Sequence, residues 1–348
     1  MKPITIGLAG YGFSGQSFHR PLLQHSEKFT IHTVMSSNEE KVQQDLEGIK
    51  VVKTLDELLQ EEIELVVITT PNHLHYTMIK KALEAGKHVV VEKPFVTNSA
   101  EGDELIRLAE EKGLLLSVFH NRRWDADFLT LEKLLNEKRL GELATYEAHF
   151  DRYRPAVKDR WKENKIDGGG VLYDLGAHLI DQALCLFGKP QWVFADVFAQ
   201  RDPEKAEDYF QITFGYEGMR VGLYSRSMVL DPGPRYQVHG KTGSFMKVGM
   251  DPQESDLKEG IDPYSSEWGR EDESLWGTLS LANEDGVTTG RLPSEKGDYT
   301  KYYEGIYEAL RNNGTVPVRA EDANDVIRII EACIQSSHDK RAIKIGEV

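Results

Sequence analysis

Ile4-Thr5-Ile6-Gly7-Leu8-Ala9-Gly10-Tyr11-Gly12-Phe13-Ser14-Gly15 lies near the start of a 348-residue chain, and its reading decides the fold. Residues 4–9 form a short apolar run of strand type. A G-x-G-x-x-G turn follows, and a helix-like stretch continues through Leu23. Strand, glycine turn and helix in that order make a phosphate-holding device. The first glycine permits a tight turn, the second lets the backbone approach a pyrophosphate, and the third lets helix and strand pack closely. The helix N-terminus then offers N–H groups and the positive end of its dipole. Gly10, Tyr11, Gly12, Phe13, Ser14 and Gly15 are therefore expected to bind a dinucleotide.

Outward from this turn, the first 120 residues alternate strand and helix patterns. Residues 29–35, 51–52, 65–69, 88–91 and 114–119 read as strands. Residues 55–60, 76–85 and 100–112 read as helices, the last two closed by Gly86 and Gly113. This rhythm predicts an α/β, doubly wound parallel sheet, a Rossmann dinucleotide-binding domain over residues 1–120. After His120 the rhythm changes. Residues 131–138 and 171–187 look helical, and strands at 192–200, 210–216, 221–226 and 236–239 then follow one another directly. That predicts a C-terminal α+β domain with a large mixed, mostly antiparallel sheet, serving substrate binding and oligomerisation over residues 121–348. Residues 251–300 are polar and rich in Gly, Asp, Glu and Ser, and read as loops. Residues 302–310 and 323–334 read as amphipathic helices.

Two domains also suit the length. The net charge, 42 − 57 = −15, argues against broad nucleic-acid or anionic-membrane binding, so any bound anion must be held locally. No apolar run approaches the roughly 20 residues of a membrane span. Cys185 and Cys333 lie far apart in apolar helical contexts without metal-ligand spacing. They are expected to be reduced, buried core thiols in a cytoplasmic protein without a bound metal.

The tip of the second strand bears on cofactor choice. NAD-preferring sites usually place an acid there for the ribose 2′-hydroxyl. Here the tip reads Met35-Ser36-Ser37-Asn38, with Glu39 and Glu40 just beyond it. Ser36, Ser37 and Asn38 can donate to a 2′-phosphate, and Lys41 adds charge. NADP is the expected cofactor, with NAD possible.

Three further segments carry chemistry. Glu92-Lys93-Pro94 directly follows a strand, where ligands bind in open α/β sheets. Lys93 there can contact an oxygen beside the nicotinamide. Gly168-Gly169-Gly170-Val171-Leu172-Tyr173-Asp174-Leu175-Gly176-Ala177-His178 puts Asp174 and His178 four residues apart, on one helical face. Histidine titrates near neutrality and suits proton acceptance from an alcohol, while Asp174 can orient the hydroxyl. The triple glycine permits either close ligand approach or a sharp bend. In His120-Asn121-Arg122-Arg123-Trp124-Asp125, Asn121 can bond a carboxamide. The arginines suit a phosphate or an interdomain ion pair.

The glycine turn, Glu92-Lys93-Pro94 and the 168–181 block, in this order and spacing, resemble the glucose–fructose oxidoreductase / inositol dehydrogenase / rhizopine catabolism (Gfo/Idh/MocA) family over nearly the whole chain. With residues 119–125, Arg152-Tyr153-Arg154-Pro155 and 233–240, the resemblance is nearest to NADP-dependent scyllo-inositol dehydrogenases. It implies Lys93, Asp174 and His178 as the catalytic set. Tyr153 and Arg235 join these three at the substrate. Thr70, Pro71, Asn72, His75, Glu92 and Asn121 join the cofactor set. It also implies an open sheet face that forms a homodimer or homotetramer. Close members tend to carry arginine where Asn38 stands. The expected reaction is hydride transfer between NADP(H) and a ring hydroxyl or ketone of a polyol, such as scyllo-inositol. A sugar dehydrogenase or reductase on the same scaffold is the alternative. A non-catalytic sensor would have no use for the Lys93, Asp174 and His178 set.

Overall fold

A computed structural model describes residues 2–346, and the chain divides into two compact units. One unit comprises Met1–Trp124, Gln253–Trp268 and Asp298–Asn324. The other comprises Asp125–Pro252, Gly269–Gly297 and Asp325–Val348. Residues 253–268 and 298–324, read from sequence as part of the second domain, thus pack with the first.

The first unit holds a six-stranded sheet: β1 (Ile4–Ala9), β2 (Phe29–Met35), β3 (Lys50–Val52), β4 (Leu65–Ile68), β5 (His88–Glu92) and β6 (Leu116–Phe119). The strand order is β3-β2-β1-β4-β5-β6, and every pairing is parallel. Leu65, Val66, Val67 and Ile68 are fully buried, as are Val89, Val90 and Val91, because helices cover both faces of such a sheet. The order reverses between β1 and β4, and ligands bind beyond the strand ends at such a point.

The second unit holds a nine-stranded sheet: β7 (Leu143–His149), β8 (Trp192–Phe198), β9 (Tyr209–Gly215), β10 (Arg220–Arg226), β11 (Tyr236–Gly240), β12 (Gly243–Lys247), β13 (Gly277–Asn283), β14 (Gly286–Leu292) and β15 (Ile343–Lys344). The order is β14-β13-β12-β11-β7-β10-β9-β8-β15. β7 and β10 run parallel and the other pairs antiparallel.

Two expectations are corrected. Residues 251–300 are not all loop: they contain the helix Gln253–Lys258 and the hairpin β13–β14. The hairpin escaped notice because β14 is an exposed edge strand, so no apolar residues alternate along it. Of the two thiols, Cys333 is buried but Cys185 is exposed on its helix.

Candidate active site

In the first unit the glycine turn joins β1 to a helix whose first turn, Gly15–His19, is π-helical. Gly10 has φ +110°, a conformation side chains rarely adopt. A Cβ on Gly15 would lie 2.5 Å from the Gly10 carbonyl oxygen, so this glycine serves helix–strand packing. Gly12 differs: a Cβ there would meet nothing within 4 Å. The fold itself does not require glycine at 12, and the open space above it fits a pyrophosphate. The phenol of Tyr11 is buried and donates to Asp45 at 3.0 Å. Tyr11 therefore meets any ligand through its backbone, while its ring anchors the turn. Phe13 and Ser14 stand on the exposed and half-buried sides of the turn.

At the tip of β2, Asn38 caps the helix Glu39–Asp45, its side-chain oxygen accepting from the Lys41 N–H at 2.9 Å. Only its amide N–H groups remain for a ligand. Ser36 bonds the Asn38 backbone, and Ser37 is exposed. The Lys41 ammonium donates to the Tyr11 carbonyl at 3.2 Å, which brings a cation to the glycine turn.

Lys93 follows β5 and is half-buried. Beside it, the Glu92 carboxylate bonds the ring Nε2 of the fully buried His19 at 3.0 Å. It also accepts from the Ser14 hydroxyl and from the Lys93 N–H at 3.1 Å. The other ring nitrogen of His19 bonds the Tyr303 hydroxyl at 2.6 Å. Burial alone would raise the Glu92 pKa. The hydrogen bonds and charge of His19, the Ser14 hydroxyl and Lys93 together hold it at about 2. His19 and Tyr303 were missed in the sequence. The only signal was a histidine four residues past Gly15 in the helix that follows the glycine turn.

His75, expected at the cofactor, is instead completely buried. Its ring nitrogens lie 2.9 Å from the Pro94 carbonyl and 3.0 Å from the Thr70 carbonyl, between the segments after β4 and β5, and the neutral ring donates to one of the two. Burial pushes its pKa down. Thr70 and Pro71 are half-buried and Asn72 is buried, all just beyond β4. Asn121 is buried in the turn after β6. Arg122 pairs with Glu254 at 2.6 Å inside this same unit.

In the second unit a cleft of about 430 Å³, open solvent included, is lined by Asp174, Lys162, Arg152 and Glu207 among others. Asp174 belongs to a π-helical turn, Leu172–Gly176, that leads into the helix Ala177–Phe187. Such wide turns recur at functional sites. His178, on the following turn, is 6% exposed. Asp174 accepts from the Lys162 ammonium at 2.6 Å, a partner the sequence reading did not find. The triple glycine makes a bend, with Gly168 and Gly170 at positive φ, and Gly170 lines the cleft, where a Cβ would meet the Glu207 carboxylate. Burial pushes the Glu207 carboxyl up to about 7. Tyr153 is 52% exposed and lies between two cleft-lining arginines. Arg235, expected at the substrate, is instead 3% exposed in the core. Its guanidinium pairs with Asp127 at 3.5 Å and donates to Gln182 and to the His149 carbonyl, each at 3.0 Å.

Among the described residues no group of side chains is arranged to hold a metal ion, and no helix is long and apolar enough to cross a membrane. Residues 4–120 match the GFO_IDH_MocA model, described as an oxidoreductase family with an NAD-binding Rossmann fold. Residues 132–345 match the family's C-terminal alpha/beta domain. A Bacillus subtilis relative, scyllo-inositol 2-dehydrogenase (NADP(+)) IolW, is 45% identical over 98% of this chain and 96% of its own. The Escherichia coli oxidoreductase YdgJ, of uncharacterised activity, is 41% identical over 98% of each chain. The solved structure of yvaA from Bacillus subtilis superposes with TM-score 0.96 at 45% identity, over 99% of each chain.

Proposed function

The chain belongs to the Gfo/Idh/MocA oxidoreductase family, and from that premise we propose that it transfers hydride between NADP(H) and a ring hydroxyl or ketone of a polyol, scyllo-inositol or its inosose. The observation that carries this reading is the 45% identity, along nearly all of both chains, with a relative named scyllo-inositol 2-dehydrogenase (NADP(+)). The absence of a carboxylate at Ser36, Ser37 and Asn38 and the cation Lys41 beside the turn support NADP. Gly10–Gly15, the tip of β2, residues 70–72, Glu92, Lys93 and Asn121 are the proposed cofactor contacts.

When bound, the nicotinamide ring supplies the acceptor for the hydride. His178 takes the hydroxyl proton as general base. Lys93 steadies the developing oxyanion with its fixed positive charge. Asp174 accepts from a substrate hydroxyl and fixes its position, and Tyr153 contacts the ring from its exposed place. Glu92, held ionised by His19, supports the backbone of Lys93. The same reading takes the protein as a cytoplasmic homodimer or homotetramer. The exposed Phe194 and Phe198 on β8 support an interface on the sheet.

Initial rates with a panel of inositols and hexoses, each with NADP and with NAD, test the proposal. Highest kcat/KM for an inositol with NADP is expected. Turnover confined to open-chain or hexose sugars would replace the polyol by the sugar reading.

A further inference from the structure

Asp174 and Lys162 both line the cleft of the second unit, with side chains 20% and 36% exposed, and the Lys162 ammonium lies 2.6 Å from Asp174 Oδ1. Ion pairs this accessible contribute about 0–1 kcal/mol to stability, so folding gives little account of the pair. Its geometry is nevertheless fixed with care. Lys162 sits in the single turn Trp161–Glu163. Glu163, at the end of that turn, is buried and takes Arg160 at 2.8 Å and Arg201 at 2.9 Å. Arg201 in turn pairs with the buried Asp208 and donates to the Arg154 and Ala156 carbonyls at 3.0 and 3.1 Å. The cleft-facing lysine is thus mounted on a rigid, interlocked base.

An ionised carboxylate only accepts hydrogen bonds and an ammonium only donates them. Hydroxyl oxygens on neighbouring ring carbons stand about one hydrogen-bond length apart, close to the Lys162–Asp174 separation. One hydroxyl can donate to Asp174 while its neighbour accepts from Lys162. We propose that the Lys162–Asp174 pair is a vicinal-diol reader, with Lys162 a substrate-contacting, specificity-determining residue. This rests on the polyol reading above, and narrows its substrates to those with a second hydroxyl adjacent to the one Asp174 holds.

The test compares scyllo-inositol with cyclohexane-1,3,5-triol, a ring polyol in which no two hydroxyls are adjacent, using wild-type enzyme, Lys162→Met and Lys162→Arg with NADP. Hydrogen bonds to charged groups imply that wild type favours the diol roughly 10- to 100-fold in kcat/KM. Lys162→Met is expected to lose most of that preference through KM for the polyol, and Lys162→Arg to keep part of it. NADPH affinity and melting temperature should match wild type in both variants, which separates a contact from a structural role. If wild type turns over inositols and Lys162→Met discriminates equally well, the diol reader is overturned while the function stands. If wild type is inert toward every polyol, the function fails and the diol reader with it.

Discussion

The ring Nε2 of His19 lies 3.0 Å from a carboxylate oxygen of Glu92, and both groups are withdrawn from solvent. The pair links the glycine turn, through Ser14, to the strand end that carries Lys93. Removing the imidazole takes a hydrogen-bond partner from a buried carboxylate, at a cost of about 1–3 kcal/mol. His19→Leu should therefore lower unfolding free energy by about 1–3 kcal/mol in a denaturant titration. Adding Glu92→Gln should recover part of the loss. A His19→Leu variant as stable as wild type would show that the pair does not hold the turn.

Two glycines of the turn should separate by mechanism. Gly12→Val should abolish NADPH binding and leave the melting temperature unchanged, since the new side chain meets only open space. Gly15→Ala should instead lower the melting temperature, because its Cβ would lie 2.5 Å from the Gly10 oxygen. Fluorescence titration and thermal melts of both variants check this. Normal NADPH affinity in Gly12→Val would refute the placement of the pyrophosphate.

Fluorescence titration should also give tighter binding for NADPH than for NADH. Ser37→Asp places a carboxylate at the exposed tip of β2, where it should repel a 2′-phosphate and favour a free ribose hydroxyl. The variant's preference should shift toward NADH. Unchanged preference would remove Ser36–Asn38 from the site.

How much was legible in the sequence follows from what each feature depends on. The parallel sheet could be read because its strands are continuous apolar runs separated by capped helices, a local pattern. The glycine turn could be read for the same reason. His19, Tyr303 and Lys162 could not be found, because their partners lie 73, 284 and 12 residues away and no spacing rule links them. The internal partners of Arg235 and His75 could not be read, because a charged or titratable residue looks the same in sequence whether it faces a ligand or an internal partner. Only the Asp127, Gln182 and carbonyl contacts reveal which. The triple glycine was readable as a bend or a ligand approach; the positive φ of Gly168 and Gly170 makes the bend, and Gly170 also lines the cleft.

Glu207 gives a stability prediction with a definite sign. Its folded pKa is raised from 4.5 to about 7, so between those values the folded state binds more protons than the unfolded state. Stability should then fall as pH rises through that window, by at most about 3 kcal/mol, and the penalty should be fully present above it. Glu207→Gln removes the titration. Denaturation at pH values on both sides of the window should show wild type losing stability relative to the variant as pH rises. A constant difference would contradict a buried, weakly acidic Glu207.

We infer that this chain carries out hydride transfer with His178 as the proton acceptor. The most direct test is the initial rate of NADPH formation from scyllo-inositol and NADP, as a function of pH, for wild type and His178→Ala. The wild-type rate should climb with pH as the imidazole loses its proton. The variant should be slower by about 10² to 10⁴, with that limb lost and NADPH affinity near normal. A His178→Ala enzyme that turns over at the wild-type rate with the same pH profile would contradict His178 as the proton acceptor.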